Sequence, residues 1–255
     1  MKPVISVVTP SLNQGAYLPE CLESVHGVGV EHLVIDGGSR DDTTQILASR
    51  HQGYWVSEPD NGQTHAINKG LARAQGDILA YLCADDFLEP GALAAVARCF
   101  EDTSVDVVHG DGYFLEGNSG WKRRKRTGAF HRDRLLRGNF LIQPAVFWRR
   151  RVYERFGPLD ERLRYCMDHE YWLRISDTTR WEYLPIPLAT SRLHAGAKTS
   201  RELGRAWEEA RRMQAAYGLH VRPYLEALWM RTLGAHYYLA KRRIFAGLGR
   251  WMIVK

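Results

Sequence analysis

Several absences narrow the reading of this 255-residue chain. Cysteine is scarce: Cys21, Cys83, Cys99 and Cys166 form no C-x-x-C pair and no His-paired spacing. That argues against a disulfide framework or a zinc site and fits a reducing cytoplasm. No apolar run approaches the roughly 20 residues of a spanning helix. The run at residues 4–8 is too short for a secretory h-region and passes straight into Ser11 and Asn13. No G-x-G-x-x-G follows that first run, which disfavours a dinucleotide-dependent dehydrogenase.

What is present is ordinary for a globular protein, with 45% hydrophobic and 25% charged residues. The net charge of +6 is unevenly placed. Residues 122–126 read KRRKR, and residues 222–255 hold seven basic side chains against one acid, Glu226. The remainder is net acidic, so the basic character is local and points to anionic partners.

Short apolar runs alternate with helical patterns through the first half. Residues 4–8, 32–36, 54–57, 78–83 and 105–109 read as strands. Between them, Leu18, Leu22 and Val25 recur at helical spacing, and Asp41 is placed to cap a helix through Leu47. Residues 63–74 form a further helix, and Pro90 opens another that runs to Phe100. This alternation predicts an α/β fold with a largely parallel sheet. In the second half, residues 112–128 read as a hairpin or mobile loop, residues 143–148 and 181–186 as strands, and 168–175 as a helix. From Arg201 onward the pattern is helical.

Ligands of open α/β sheets sit beyond the carboxyl ends of the strands. Here those ends carry TPSLN (9–13), DGGS (36–39), EPDNG (58–62) and ADD (84–86). Turn chemistry explains any one of them; four in register point to a site. Asp85 and Asp86 repel each other unless a cation joins them, although a helix start before Pro90 also favours acids.

The segments TPSLNQGAYLPECLESV, HLVIDGGSRDDT, SEPDNGQTHAINKGLARAQGDILAYLCADD and GPLDERLRYCMDHEYWLRI occur in this order. Together, over residues 4–200, they resemble a family two glycosyltransferase of GT-A fold. The resemblance implies a three-layer α/β/α sandwich with a mainly parallel sheet. It implies inverting transfer of a sugar from a nucleotide-sugar, usually a UDP-sugar, to a glycan or lipid-linked acceptor. Pro10, Ser11 and Asn13 would line the nucleotide pocket and Asp36 would bond the base. Asp60 and Gly62 would sit by base and ribose, with Asn68 and Lys69 holding that wall. Asp85 and Asp86 fall in the metal and ribose region, which takes Mn²⁺ or Mg²⁺, and His194 is a further metal or diphosphate contact. Asp168 falls at the general base. Two departures stand out: Cys83 replaces an Asp or Asn two positions before the metal Asp, and Met167 replaces a Glu before the base.

The expected organisation is a catalytic domain over residues 1–200, with a nucleotide-binding half (1–110) and an acceptor-binding half (111–200), then a helical extension over 201–255. In that extension Leu225, Trp229, Leu233, Tyr237, Ala240, Ile244, Leu248 and Met252 make one apolar stripe beside basic residues. The stripe suits an anionic membrane surface, packing on the domain, or a homodimer contact. A cytoplasmic protein, peripheral on the inner membrane face in the first case, is expected. Trp148 and Trp172 are aromatic candidates for a sugar floor, with core packing the alternative for Trp172. Gln143 and Pro144 are candidates for the acceptor pocket. The rival readings are a sugar-1-phosphate nucleotidylyltransferase, which wants a Gly-rich, Arg-containing first loop, and a catalytically silent nucleotide- or glycan-binding protein. A nucleic-acid partner is not expected.

Overall fold

The computed structural model describes residues 3–117, 120–194 and 202–219. The first apolar run forms β1 (Ile5–Ser11), buried along its whole length. Such a run suits a strand covered on both faces. It pairs in parallel with β2 (Val30–Asp36) on one side and β4 (Ile78–Tyr81) on the other, and β3 (Tyr54–Ser57) adds in parallel outside β2. The crossovers are α1 (Leu18–Ser24), α2 (Thr43–Arg50) and α3 (Gln63–Arg73). Asp41 helps start α2, its Oδ1 accepting from the Thr43 N–H at 3.1 Å. Gly70 lets α3 press onto β1, since a Cβ there would lie 2.2 Å from Val8 Cγ1.

The second half begins with β5 (Phe87–Leu88) and α4 (Ala92–Cys99). This helix starts two residues after Pro90 because Gly91 is left-handed, at φ 80°. Then come β6 (Val107–Glu116), β7 (Trp121–Lys125), α5 (Arg132–Arg137) and a 3₁₀ turn at Gln143–Ala145. The chain continues through β8 (Val146–Arg149), α6 (Arg150–Phe156), α7 (Met167–Ile175), β9 (Trp181–Leu193) and α8 (Leu203–Ala216). The sheet order is β3-β2-β1-β4-β8-β6-β9-β5, with β7 pairing β6 at Gly112–Glu116, beyond the residues that pair with β8.

The α/β reading holds, and the longest ladders, β1–β2 and β6–β9, are parallel. The second half is mixed: β8 runs antiparallel to both β4 and β6, and β5 antiparallel to β9. Within residues 112–128, Gly112–Glu116 of β6 pair antiparallel with Trp121–Lys125 of β7. Pro144 has no N–H for a ladder, so pairing at 143–148 begins only at Val146. The strand expected to stop at Ile186 continues to Leu193 through a register shift opposite Gly110 and Asp111. Pro185 and Pro187 sit at that shift, where ladder donors are lacking.

The main core cluster packs Val96 and Phe100 of the α4 region against Ile5, Val7, Ile78, Val108 and Phe147 of the sheet. Each such side chain, fully buried, contributes about 1.5–3 kcal/mol. Trp148 and Trp172 are both fully buried, with ring centroids 5.3 Å apart. Neither is available to floor a sugar site; they pack the core between β8 and α7.

The chain divides into units Met1–Met213 and Gln214–Lys255. Within the first, Glu209 of α8 accepts from the backbone N–H groups of Arg164, Tyr165 and Cys166 at 2.9, 2.6 and 2.9 Å. The apolar stripe at residues 225–252 lies outside the described residues. Among those residues no helix is long and apolar enough to cross a membrane.

Candidate functional site

The parallel register lines up three strand ends: Ser11 pairs with Asp36, and Asp36 with Ser57. Beyond them opens a cleft of about 550 Å³. Pro10, Ser11, Leu12 and Gln14 come from β1 and its loop, Asp60 to Thr64 from the loop into α3, and Cys83 to Asp85 from the end of β4. Glu161, Leu163 and Arg164 close the far side.

That far wall is tied to α3. Asn68 Nδ2 donates to Leu159 O and to Glu161 Oε1, both at 2.9 Å, and Asn68 Oδ1 accepts from Leu159 N–H at 3.0 Å. Thr64 Oγ1 donates to Leu163 O at 3.2 Å. Lys69 pairs with Glu58 outside the cleft. Asn68 therefore holds the wall without lining it, and Lys69 instead ties α3 to the residue after β3.

The loops have their own wiring. Asp36 is fully buried and accepts four bonds, from Gly38 N–H (3.2 Å), Ser39 N–H (2.9 Å), Ser39 Oγ (2.5 Å) and Ser57 Oγ (2.6 Å). A carboxylate offers about four lone-pair sites, so a base contact requires a serine to turn away. Asn13, at φ 53°, staples the first loop to the second. Its N–H donates to Ser39 Oγ at 2.7 Å and its Oδ1 accepts from Arg40 N–H at 2.8 Å. Asp60 faces the cleft, its Oδ1 holding Gly62 N–H at 2.7 Å. Gly62, at φ 112°, turns the chain so that the positive end of α3 meets the cleft. Ser11 Oγ is buried with no partner among the described residues, although its residue lines the cleft. An orphaned buried hydroxyl is costly and suits a ligand that completes it.

At the end of β4, Cys83, Asp85 and Asp86 each bring a ligand atom within 4.8 Å of the others. Asp85 lines the cleft, and its Oδ2 lies 2.9 Å from His194 Nε2. Asp86 is buried, and its Oδ1 accepts from Arg192 N–H at 2.8 Å. Burial, then the charge of Asp85, push the Asp86 carboxyl well above the usual carboxylate range. Oxygen donors with one imidazole fit a hard divalent cation such as Mn²⁺ or Mg²⁺. The Cys83 thiol is held by the Gln63 amide at 3.1 Å, and burial pushes it well above its ordinary value. Gln143 supports this corner by donating to Tyr81 O at 2.7 Å.

Asp168, in the first turn of α7, is partly exposed, and its Oδ2 accepts from Asn139 Nδ2 at 2.8 Å. Burial raises its carboxyl above the ordinary value, partly offset by His169 and by the Asn139 amide. The Glu209 bonds to residues 164–166 fix the chain between the cleft wall and this helix.

Arg192 was not anticipated. Its Nε donates to Asp85 O at 3.2 Å, its Nη2 pairs with Glu20, and its guanidinium lies 5.1 Å from the Tyr17 ring centre. It joins β9, α1 and the Asp85–Asp86 turn. The only hint was its place two residues before His194. Gln63, Glu161 and Arg164 also line the cleft unannounced.

The model of the family described as glycosyl transferase family 2 matches residues 6–157. A PGL/p-HBAD biosynthesis glycosyltransferase of Mycobacterium bovis is 34% identical over 182 residues, covering 68% of this chain and 69% of that protein. An uncharacterized glycosyltransferase of Mycobacterium tuberculosis is 32% identical over 180 residues, covering 68% of each. Among solved structures, S. aureus TarS 1–349 in complex with UDP-GlcNAc superimposes with TM-score 0.68 at 17% identity, over 82% of this chain and 65% of that one. This chain spans 39% of a longer TarS chain. A mannosyltransferase from Pyrobaculum calidifontis in complex with GDP-Man and Mn²⁺ matches with TM-score 0.65 at 16% identity, over 100% of this chain and 77% of that one. These structural likenesses establish the GT-A fold.

Proposed function

This chain belongs to glycosyl transferase family 2, and from that premise we propose that it transfers a sugar, with inversion, from a UDP-sugar to a hydroxyl of a glycan or lipid-linked acceptor. The observation that carries the reading is the strand-end cleft, where the orphaned Ser11 hydroxyl, Asp60 and the His194-bonded Asp85 meet. The nucleoside lies against Pro10, Ser11, Asp60 and Gly62. Asn13, Asp36, Asn68 and Lys69 hold the surrounding loops and wall from behind. UDP is preferred as the nucleotide on the resemblance to UDP-GlcNAc-bound TarS, while the GDP-Man complex makes GDP the second candidate.

Asp85 and His194, with Asp86 beside them, would hold a divalent cation that offsets the charge developing on the leaving diphosphate. The remaining chemistry belongs to side chains of this protein. Asp168 takes the proton of the acceptor hydroxyl as its oxygen attacks the anomeric carbon, and the bond from that carbon to the diphosphate oxygen breaks. Attack and departure on opposite faces invert the anomeric centre. Asn139 keeps the Asp168 carboxylate oriented. The raised proton affinity of that carboxyl suits a base that must hold the proton it removes.

The test is the melting temperature with UDP and with GDP, each with and without Mn²⁺. The reading expects UDP with metal to raise it most and Asp85→Ala to remove the gain. Stabilisation by GDP alone would move the donor class. No effect from either would leave a silent relative of the family.

A further inference from the structure

The five charges of the KRRKR run at residues 122–126 are not equivalent. Lys122 pairs with Glu89 at 2.6 Å and Arg124 with Asp111 at 2.8 Å. Alternation along β7 sends Arg123 and Lys125 to the opposite face. There both lie over the Phe114 ring, 5.7 and 5.6 Å from its centre. Neither has a carboxylate within ion-pair distance among the described residues, whereas the neighbours on the other face do.

Lys125 is half-buried, and its Nζ donates to Leu141 O at 3.2 Å. Leu141 N–H in turn donates to Asn139 Oδ1 at 3.2 Å, and Asn139 Nδ2 donates to Asp168 Oδ2 at 2.8 Å. Through this short chain Lys125 stands on the flank of Asp168. Arg134 of α5 stacks 4.1 Å over Phe140, the residue before Leu141, with its Nη1 on Thr127 O, and it too lacks an acidic partner among the described residues. Burial first, then the charges of Arg134 and Arg123, lower the proton affinity of Lys125 in spite of Asp168. A half-buried ammonium crowded by two guanidinium groups is unfavourable on its own. An anion seated among the three removes the imbalance, and guanidinium forks match phosphate oxygens in pairs.

We propose that the acceptor carries a phosphate near the hydroxyl to be glycosylated, and that Lys125, Arg123 and Arg134 receive it beside Asp168. This rests on the glycosyltransferase reading, in which Asp168 is the acceptor-side base. The phosphate comes either from a soluble sugar phosphate or from a lipid headgroup.

Two probes separate the sources. Calorimetry with the full chain, with and without UDP and Mn²⁺, measures glucose 6-phosphate against glucose. Co-sedimentation measures phosphatidylglycerol–phosphatidylcholine vesicles against phosphatidylcholine alone. The proposal expects at least one anionic phosphate probe to bind and its partner of no net charge not to, the phosphate of phosphatidylcholine being balanced by its own choline. Lys125→Gln and Arg123→Gln should each weaken that binding roughly tenfold, the size of one lost charge-assisted bond. Lys125→Arg should keep most of it and guards against a folding defect. UDP binding should be unchanged in all three variants. Sugar phosphate binding alone assigns a soluble acceptor, and vesicle binding alone a lipid one. If neither probe depends on Arg123 or Lys125, the proposal is overturned. If the probes behave as expected but UDP does not bind the unaltered protein, the phosphate site stands and the donor assignment falls.

Discussion

His194 Nε2 lies 2.9 Å from Asp85 Oδ2, joining the end of β9 to the turn after β4 across 109 positions of sequence. The imidazole also rests against the Tyr17 ring, 4.9 Å between centroids. One carboxylate of the cleft is thereby tied to an imidazole that follows β9.

His194→Ala should weaken Mn²⁺ binding roughly 10–100-fold, the scale seen when a metal site loses a supporting group. The metal-independent part of UDP stabilisation should stay. Calorimetric Mn²⁺ titration of the UDP-loaded protein reads both, and unchanged affinity would remove His194 from the cation site.

Asp168→Asn should lower turnover by about 10²–10⁴-fold, the range for loss of a general base. UDP affinity should be retained, because Asp168 lies outside the donor cleft lining. A general base must be ionised to take a proton, and the Asp168 carboxyl is raised above the ordinary value of 3.8. Activity should therefore fall as pH drops through that raised value, leaving an acidic limb in the pH profile of kcat/KM that Asp168→Asn abolishes.

His32 is buried, bonded to Thr9 Oγ1 at 2.9 Å, and held neutral: burial, then His51, bring its pKa from 6.5 down to about 3. A base depressed by folding contributes stability that is complete above its unfolded pKa and is lost as pH falls through the window from 6.5 towards 3. Urea unfolding at pH 7 and pH 5 should show that loss, on the order of 1–2 kcal/mol over the interval. His32→Asn should flatten this pH dependence while lowering stability at pH 7.

Gly70→Ala should destabilise the fold by about 1–3 kcal/mol, the usual cost of overpacking. The added methyl would fall 2.2 Å from Val8 Cγ1, between α3 and the central strand. A melting temperature equal to that of the unaltered chain would mean that the helix moves away freely.

Much of the first half was legible in the sequence because its signals are local. Apolar runs of strand length, helical spacing at Leu18 and Leu22, and polar residues after each run located β1 to β4 and their helices within a few residues. Parallel pairing then brought those polar ends to one edge. Side-chain direction within the loops was less legible. The resemblance gives Asp36 to the nucleotide base, but serines 3 and 21 positions away donate to its carboxylate. Asn13, expected to line the nucleotide pocket, likewise became a loop fastener, because it met a backbone that no local pattern announces.

By itself the sequence determined the α/β alternation, the strand-end loops, the candidate carboxylates Asp85 and Asp168, and two concentrations of basic charge. The alternation, the loops with Asp85 and the basic concentrations follow from composition and spacing over at most a few turns of chain, whereas Asp168 was singled out by the family resemblance. Only the tertiary structure decided that β8 enters the sheet antiparallel, that Trp148 and Trp172 serve the core, that Arg192 braces the Asp85–Asp86 turn, and that Lys122 and Arg124 pair with acids while Arg123 and Lys125 lie over the Phe114 ring. The physical reason is that hydrogen bonds and ion pairs act over a few ångströms, while the residues that share them here stand tens to more than a hundred positions apart.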